Sequence, residues 1–350
     1  VRHRLLIVTS ALGLLAASCG GVATTTPALV SDAPAETAPA ETPVLPIGEP
    51  LSVRVVGDGP VIEGGADGPE GYPNDYPGAV VRDPDGTYHL YIAWFAAAPG
   101  DEVVTHSTSS DAVDWEVSTE PVYDDLGLAM RYPGPMPAEA LLVDGTWVMY
   151  GWGASIGAQR ADASWRATAP EPGGPWTVDP AMALEAGPAG AWDGGGAVTS
   201  AVLTRQDGTL LWYEGYPERP GPESIGLAIS PDGRTFTKEP ESAIPAGACG
   251  TAPDAAVFQP NVLATDDGYL MLFGGLEEAG ATPRVFGATS PDGRTWSCAG
   301  EGPLPGLEQF SGSNYVHTFQ MFQRDGQPAV LLEILRGDHT ELWLAEIDRG

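Results

Sequence analysis

Carboxylates, amides and aromatic rings recur ahead of similar segments of this 350-residue chain. They are Asn74 with Asp75, Glu139, Trp192 with Asp193, Asp254 with Gln259, and Asn314 with His317. Their spacing is roughly 60 residues, the interval of a repeated supersecondary unit. Paired carboxylates can work on a glycosidic bond, one as general acid and one activating water; in the inverting mode they stand ~6.5–9.5 Å apart. Trp94, Trp152, Trp192 and Trp212 offer aromatic faces of the kind that stack on sugar rings. If the fold gathers these positions, Asp75, Glu139, Asp193 and Asp254 are the candidate catalytic groups. Asn74, Trp94, Trp152, Trp192, Gln259, Asn314 and His317 are then candidate saccharide contacts.

Each position also has a plainer reading. Asp75 can be a solvated loop acid before a strand. Glu139 starts an apolar strand, where an unpaired carboxylate is costly. Gly194-Gly195-Gly196, beside Asp193, lets backbone approach closely, either to a ligand or to a neighbouring element. His317 lines a channel, helps to hold water or a cation there, or is a satisfied core histidine. Most tryptophans are expected to serve packing. Asp85, Asp207, Asp232, Asp267 and Asp292 read as turn residues whose side chains cap local amides. No CxxC or Cys/His metal spacing occurs, and no cofactor is expected beyond such a channel cation.

The elements that must position these groups are legible as a repeat. An apolar run, an Asp-Gly-type turn and an alternating aromatic and aliphatic run recur in AVVRDPDGTYHLYIAWF, ALLVDGTWVMYGWG, SAVLTRQDGTLLWYEGY, NVLATDDGYLMLFGG and FQMFQRDGQPAVLLEIL. Each reads as a β-hairpin. A turn ending in an aromatic residue follows four of them, at Trp115, Trp176, Phe236 and Trp296. No amphipathic helix of ten or more residues appears, which removes α/β alternatives. The pattern predicts an all-β fold, a five-bladed β-propeller of four-stranded antiparallel blades. The last copy lacks a fourth strand, and residues 51–63 are expected to complete it and close the ring.

Arg2, His3 and Arg4 precede a short apolar run, Leu5 to Leu15, too short to span a bilayer. Leu15-Ala16-Ala17-Ser18-Cys19 resembles a bacterial lipobox, which implies a signal peptide over residues 1–18 and a lipid on Cys19. Residues 19–47, rich in Ala, Thr, Pro and Glu, read as a disordered tether, and 48–350 as the propeller. Cys249 and Cys298 then remain as an even pair, and a disulfide between them is expected. The formal charge of −31, with Lys238 the sole lysine, leaves no footprint for nucleic acid or anionic lipid. The expected partner is a carbohydrate, met by an exported monomer whose only membrane contact is the Cys19 lipid.

These hairpins and several local motifs resemble the five-bladed propellers of glycoside hydrolase family 43 and its relatives, among them the invertase and levansucrase families. The segment PMPAEALLVDGTWVMYG is similar to that family's Trp-Ala-Pro-Glu segment, with Glu139 in the place of its glutamate. APEPGGPWT resembles the Gly-Pro-aromatic turn that follows there. NYVHTFQMFQRDG resembles the channel-lining histidine segment and matches His317 to it. NDYPGAVVRDPDGTYHLY resembles the segment carrying the aspartate general base. It implies that role for Asp75, although Asp75 lies two or three residues early. Asp193 stands for the aspartate that tunes the acid. Where the family carries a Glu-Gly-Pro acid, this chain has Phe258-Gln259-Pro260, and Gln cannot donate a proton as an acid does. The resemblance therefore leaves the acid to Glu139 or Asp254. It also leaves open a non-catalytic propeller that binds a glycan or a protein. The Ser-Pro-Asp-Gly-Arg-Thr-Trp element resembles the Asp-box of sialidases, an outer turn distant from any site.

Overall fold

The computed structural model describes residues 45–96, 102–123, 126–128, 130–155, 162–218 and 221–350. The expected signal peptide, Cys19 and nearly all of the tether lie outside these residues.

The described chain is all-β, its one helical element a single 3-10 turn at Ala248–Gly250. Two strands come first, β1 (Leu51–Val55) and β2 (Ile62–Glu63). The first meander follows as β3 (Asn74–Arg82), β4 (Tyr88–Phe95) and β5 (Glu102–Ser109), edged by β6 (Trp115–Glu116) and β7 (Pro121–Tyr123). The second has β8 (Met130–Val143), β9 (Thr146–Ser155), β10 (Asp162–Ala169) and β11 (Thr177–Val178). The third has β12 (Gly196–Arg205), β13 (Gly208–Tyr216), β14 (Ser224–Ser230) and β15 (Thr237–Lys238). The fourth has β16 (Val257–Thr265), β17 (Gly268–Gly275), β18 (Arg284–Ser290) and β19 (Ser297–Cys298). The last has β20 (Val316–Arg324), β21 (Gln327–Arg336) and β22 (His339–Arg349).

Neighbours within each meander pair antiparallel, and β1 supplies the last one's outer strand, Leu51 facing Arg349 and Val55 facing Ala345. β2 pairs with the same strand, at Ile62 and Leu342. The second and third meanders share one sheet through a single parallel contact, Asp162 with Gly196. The first strands β3, β8, β12, β16 and β20 neighbour one another in a closed cycle, the arrangement of a β-propeller. Successive meanders pack face to face through apolar cores. Leu270, Leu272 and Val285 meet Phe319, Val330 and Leu332, and Leu51 and Val53 join that layer. Trp212 and Met271 share another with Trp296. Hydrophobic burial is thus spread around the ring rather than held in one centre.

The turns explain why the residues fold this way. At Ser109–Asp111, Ser230–Asp232 and Ser290–Asp292 the serine hydroxyl and the aspartate carboxylate accept backbone N–H groups of the following residues. The last two turns deliver an aromatic residue to a contact between meanders: Phe236 meets Tyr150 with ring centroids 6.1 Å apart, and Trp296 meets Trp212 at 6.2 Å. Cys249 and Cys298 are joined by a disulfide. Pro46 and Gly48 exchange backbone hydrogen bonds with Cys298. The last residues of the span read as tether therefore lie against the fourth meander instead of running free.

All five first strands carry a register irregularity at a corresponding level. It falls at Gly78, Ala138, Ser200, Gln259–Pro260 and His317. Bulges of this kind bend a strand and re-aim a side chain.

Removing residues 45–55 takes away β1 and the burial of Leu51 and Val53, both almost fully buried. At about 1.5–3 kcal/mol per buried aliphatic side chain, the loss is of order 3–6 kcal/mol. Urea unfolding of the truncated protein is expected to show a midpoint well below that of a version starting at residue 45. An unchanged midpoint would contradict closure by β1.

Candidate functional site

The first strands bring Asp75 and Tyr76 together with groups the sequence reading did not single out. Tyr76 lies beside Thr318 and Trp152, and both Glu333 and Glu214 act electrostatically on its hydroxyl. With burial as the main cause, its phenol is pushed up to about 12. Glu214 sits on β13 inside the run LLWYEGY, and Glu333 on β21 inside AVLLEIL. Both carboxylates are buried. The backbone N–H of Gln259 donates to Oε2 of Glu214 at 3.4 Å. The available signal in the sequence was an acid placed within an apolar strand, seven or eight residues past the hairpin aspartate in the two copies. It marks a carboxylate that burial alone would not tolerate.

Asp75 is fully buried against the last meander. Its Oδ1 accepts the Thr340 hydroxyl at 2.6 Å, and the Asp75 backbone N–H donates to Oγ1 of Thr340 at 2.7 Å. Its Oδ2 is buried with no partner, 3.4 Å from where a Cβ on Gly64 would stand. Such a Cβ would also lie 2.5 Å from the Thr340 carbonyl, so glycine is required at 64. Burial first, and then the neighbouring Glu333 charge, hold the Asp75 carboxyl well above the ordinary carboxylate range.

His317 is the bulge residue of β20. Its flanking residues Val316 and Thr318 are buried, whereas its own side chain is 51% exposed. Nδ1 lies 3.2 and 3.3 Å from the two oxygens of Glu333, whose side chain is 4% exposed. The Glu333 charge raises the imidazole above its usual range.

Other expected site residues stand elsewhere. Asp193 is buried in an ion pair with Lys238 of the outer strand β15 (2.5 Å), and it accepts the Tyr213 hydroxyl at 3.0 Å. Trp192 stacks on Tyr213 and donates to the Pro240 carbonyl, so both residues fasten a loop to the rim of the third meander. The reading that placed them at the central strands is corrected by these contacts: the lone lysine neutralises Asp193 locally. Asp254 is exposed on the loop before β16. Glu139 is buried between β8 and β12, where the backbone N–H groups of Val202 and Ala140 hold it; burial pushes its carboxyl to about 8. Trp94 and Trp212 are fully buried, donating to Thr105 Oγ1 and to the Gly293 carbonyl, and offer no face to a ligand. Trp152 is partly buried beside Tyr76, Gln259 holds its bulge with φ of 50°, and Asn74 and Asn314 are partly buried at the strand entrances. Among the described residues no three His, Cys, Asp or Glu side chains are grouped to hold a metal ion.

The assembled cluster is thus Asp75, Tyr76, Glu214, His317 and Glu333. It pairs buried carboxyls with one chargeable group open to solvent, the composition of a site for proton transfer.

Glu139 carries a separate stability consequence. It holds its proton in the folded protein up to about pH 8 but ionises near 4.5 when unfolded. Its contribution is therefore full below pH 4.5 and is lost as pH rises through about 8, by a few kcal/mol in order of magnitude. The Glu139→Gln variant is expected to show a flatter pH–stability curve over that window in chemical denaturation. A curve parallel to that of the wild type would refute this.

No family model matches the chain, and no curated protein matches it. Solved structures do match. A protein described as a glycoside hydrolase aligns with a TM-score of 0.61 at 14% identity, over 87% of this chain and 89% of its own. A thermostable family-43 glycoside hydrolase aligns with a TM-score of 0.60 at 17% identity, over 80% and 89%. A family 117 glycoside hydrolase of the marine bacterium Zobellia galactanivorans aligns with a TM-score of 0.58 at 13% identity, over 85% and 91%. At such identities the likeness establishes the propeller fold of these enzymes and leaves the chemistry to the residues.

Proposed function

We propose that this protein is a glycoside hydrolase-like propeller that cleaves glycosidic bonds of a plant- or microbe-derived saccharide outside the cytoplasm. On this reading Cys19 carries the lipid that holds it to a membrane, and Asp75 is the general base that activates water. The supporting observation is the Asp75 carboxyl itself. One oxygen is fixed by Thr340, the other is buried without a partner, and the whole group is held above its ordinary range by burial and by Glu333. A base is most effective when its affinity for a proton is close to the working pH. Thr340 fixes which oxygen is left without a partner, and Gly64 lets the chain pack closely against the same Thr340 segment. Asp75 must be ionised to accept a proton from water. Activity therefore rises with pH through a midpoint above the ordinary aspartate range.

The second reading is a non-catalytic propeller that binds a glycan or a protein. Two observations favour it: Gln259 stands where the resemblance calls for an acid, and Lys238 occupies Asp193.

A hydrolysis screen of arabinans, xylans, fructans and aryl glycosides separates the two. The expected result is sugar release by the wild type and a fall of about 10²–10⁴-fold in the folded Asp75→Asn variant. Saccharide binding by calorimetry with no turnover would select the binding module, and an active Asp75→Asn variant would remove Asp75 from its role.

A further inference from the structure

The five first strands offer a comparison internal to the molecule. At corresponding bulges they present Gly78, Ala138, Ser200, Gln259–Pro260 and His317. His317 is the only ionisable side chain among them. It is also the member whose side chain is half open to solvent, and the carboxylate behind it is buried. A bulge re-aims the residue it contains, and Glu333 fixes the ring by holding Nδ1. With Nδ1 engaged, Nε2 is the ring atom left for another partner.

We propose that His317, oriented by Glu333, is the proton donor of this site and delivers its Nε2 proton to the oxygen of the departing sugar or aglycone. The inference rests on the hydrolytic reading above. It supplies the acid that Gln259 cannot be, while Asp193 is paired with Lys238 and Asp254 is exposed on a loop.

The step balances without a further reactant. The oxygen of water bonds to the anomeric carbon as the glycosidic C–O bond breaks with its electron pair. Asp75 takes the proton from water, and His317 gives its proton to the leaving oxygen. Asp75 then loses its proton to solvent, and the neutral imidazole takes one up.

The surroundings of His317 favour its charged form. Glu333 faces it from β21, and the Tyr315 ring lies 6.4 Å away, edge to face, from the preceding loop. Asp75 and Tyr76 on β3 and Glu214 on β13 belong to the same electrostatic cluster. Glu341, on β22, adds to the negative field at Asp75, while Arg336 holds it by an ion pair of 2.9 Å. Glu333 raises His317, Tyr315, Tyr76 and Asp75 alike. It is a positioning residue that keeps His317 loaded while Asp75 can be discharged in the same pH interval.

The test is leaving-group dependence in the full chain. Wild type, His317→Gln, Glu333→Gln and Asp75→Asn are assayed on glycosides whose leaving groups run from a sugar alcohol to dinitrophenol. His317→Gln is expected to lose about 10²–10⁴-fold on the sugar alcohol. On dinitrophenol, which departs without a proton, the loss is only a few-fold, and the alkaline limb of the pH profile disappears. Glu333→Gln is expected to move that limb to lower pH. Proton NMR of the imidazole gives a reading independent of activity: His317 titrates above the ordinary histidine range in the wild type and falls in Glu333→Gln. Equal losses on all leaving groups in His317→Gln, or an unmoved His317 titration in Glu333→Gln, overturn this assignment while Asp75→Asn still tests the hydrolytic reading. A folded wild type inert on every glycoside overturns both.

Discussion

The pairing of Leu51–Val55 with Ala345–Arg349 is the constraint on which the remaining geometry depends. Each meander buries its apolar faces only against its neighbours, so an open arc would leave two faces in water. The β1 strand provides the last meander with its outer strand, and Leu51 and Val53 enter the layer shared with the fourth. Only with the ring closed does β22 stand beside β3, and only then does Thr340 reach Asp75. The candidate base is thus held by a contact between residues 265 positions apart, one that exists because the two ends of the fold meet.

The same closure gives the cluster its electrostatic character. Glu333 belongs to the last meander and Asp75 to the first, and neither carboxyl has a lysine or arginine among the contacts described above. Burial and mutual repulsion therefore raise Asp75 rather than lower it. The contrast with Asp193 is instructive. It is a buried aspartate of the same kind, but Lys238 and Tyr213 pair with it, and the ion pair ties a loop to a rim. Two buried aspartates differ in chemical prospect because one met a cation and the other met a glutamate.

The likeness to glycoside hydrolase structures and the differences within the site are compatible. A propeller holds its first strands in place by packing between meanders, which leaves strand entrances and bulges free to vary. Gln259 keeps the backbone of its bulge, while ionisable groups enter from second strands, as Glu214 and Glu333 do.

Local pattern determined a good deal here. The hairpins, the Ser-Asp turns with their trailing aromatic residues, the all-β class and the strand that completes the last meander were all legible, because each depends on side-chain periodicity or on hydrogen bonds a few residues apart. Asp75 and His317 were legible as polar residues at the entrances of first strands. Their surroundings were not. That Trp94 and Trp212 vanish into packing, that Lys238 claims Asp193, and that Glu333 stands behind His317 all depend on which faces of separate meanders are pressed together. Sequence names the groups that carry charge, but burial and the sign of the nearest neighbour decide what the charge does. Both are set by contacts that only the closed ring creates.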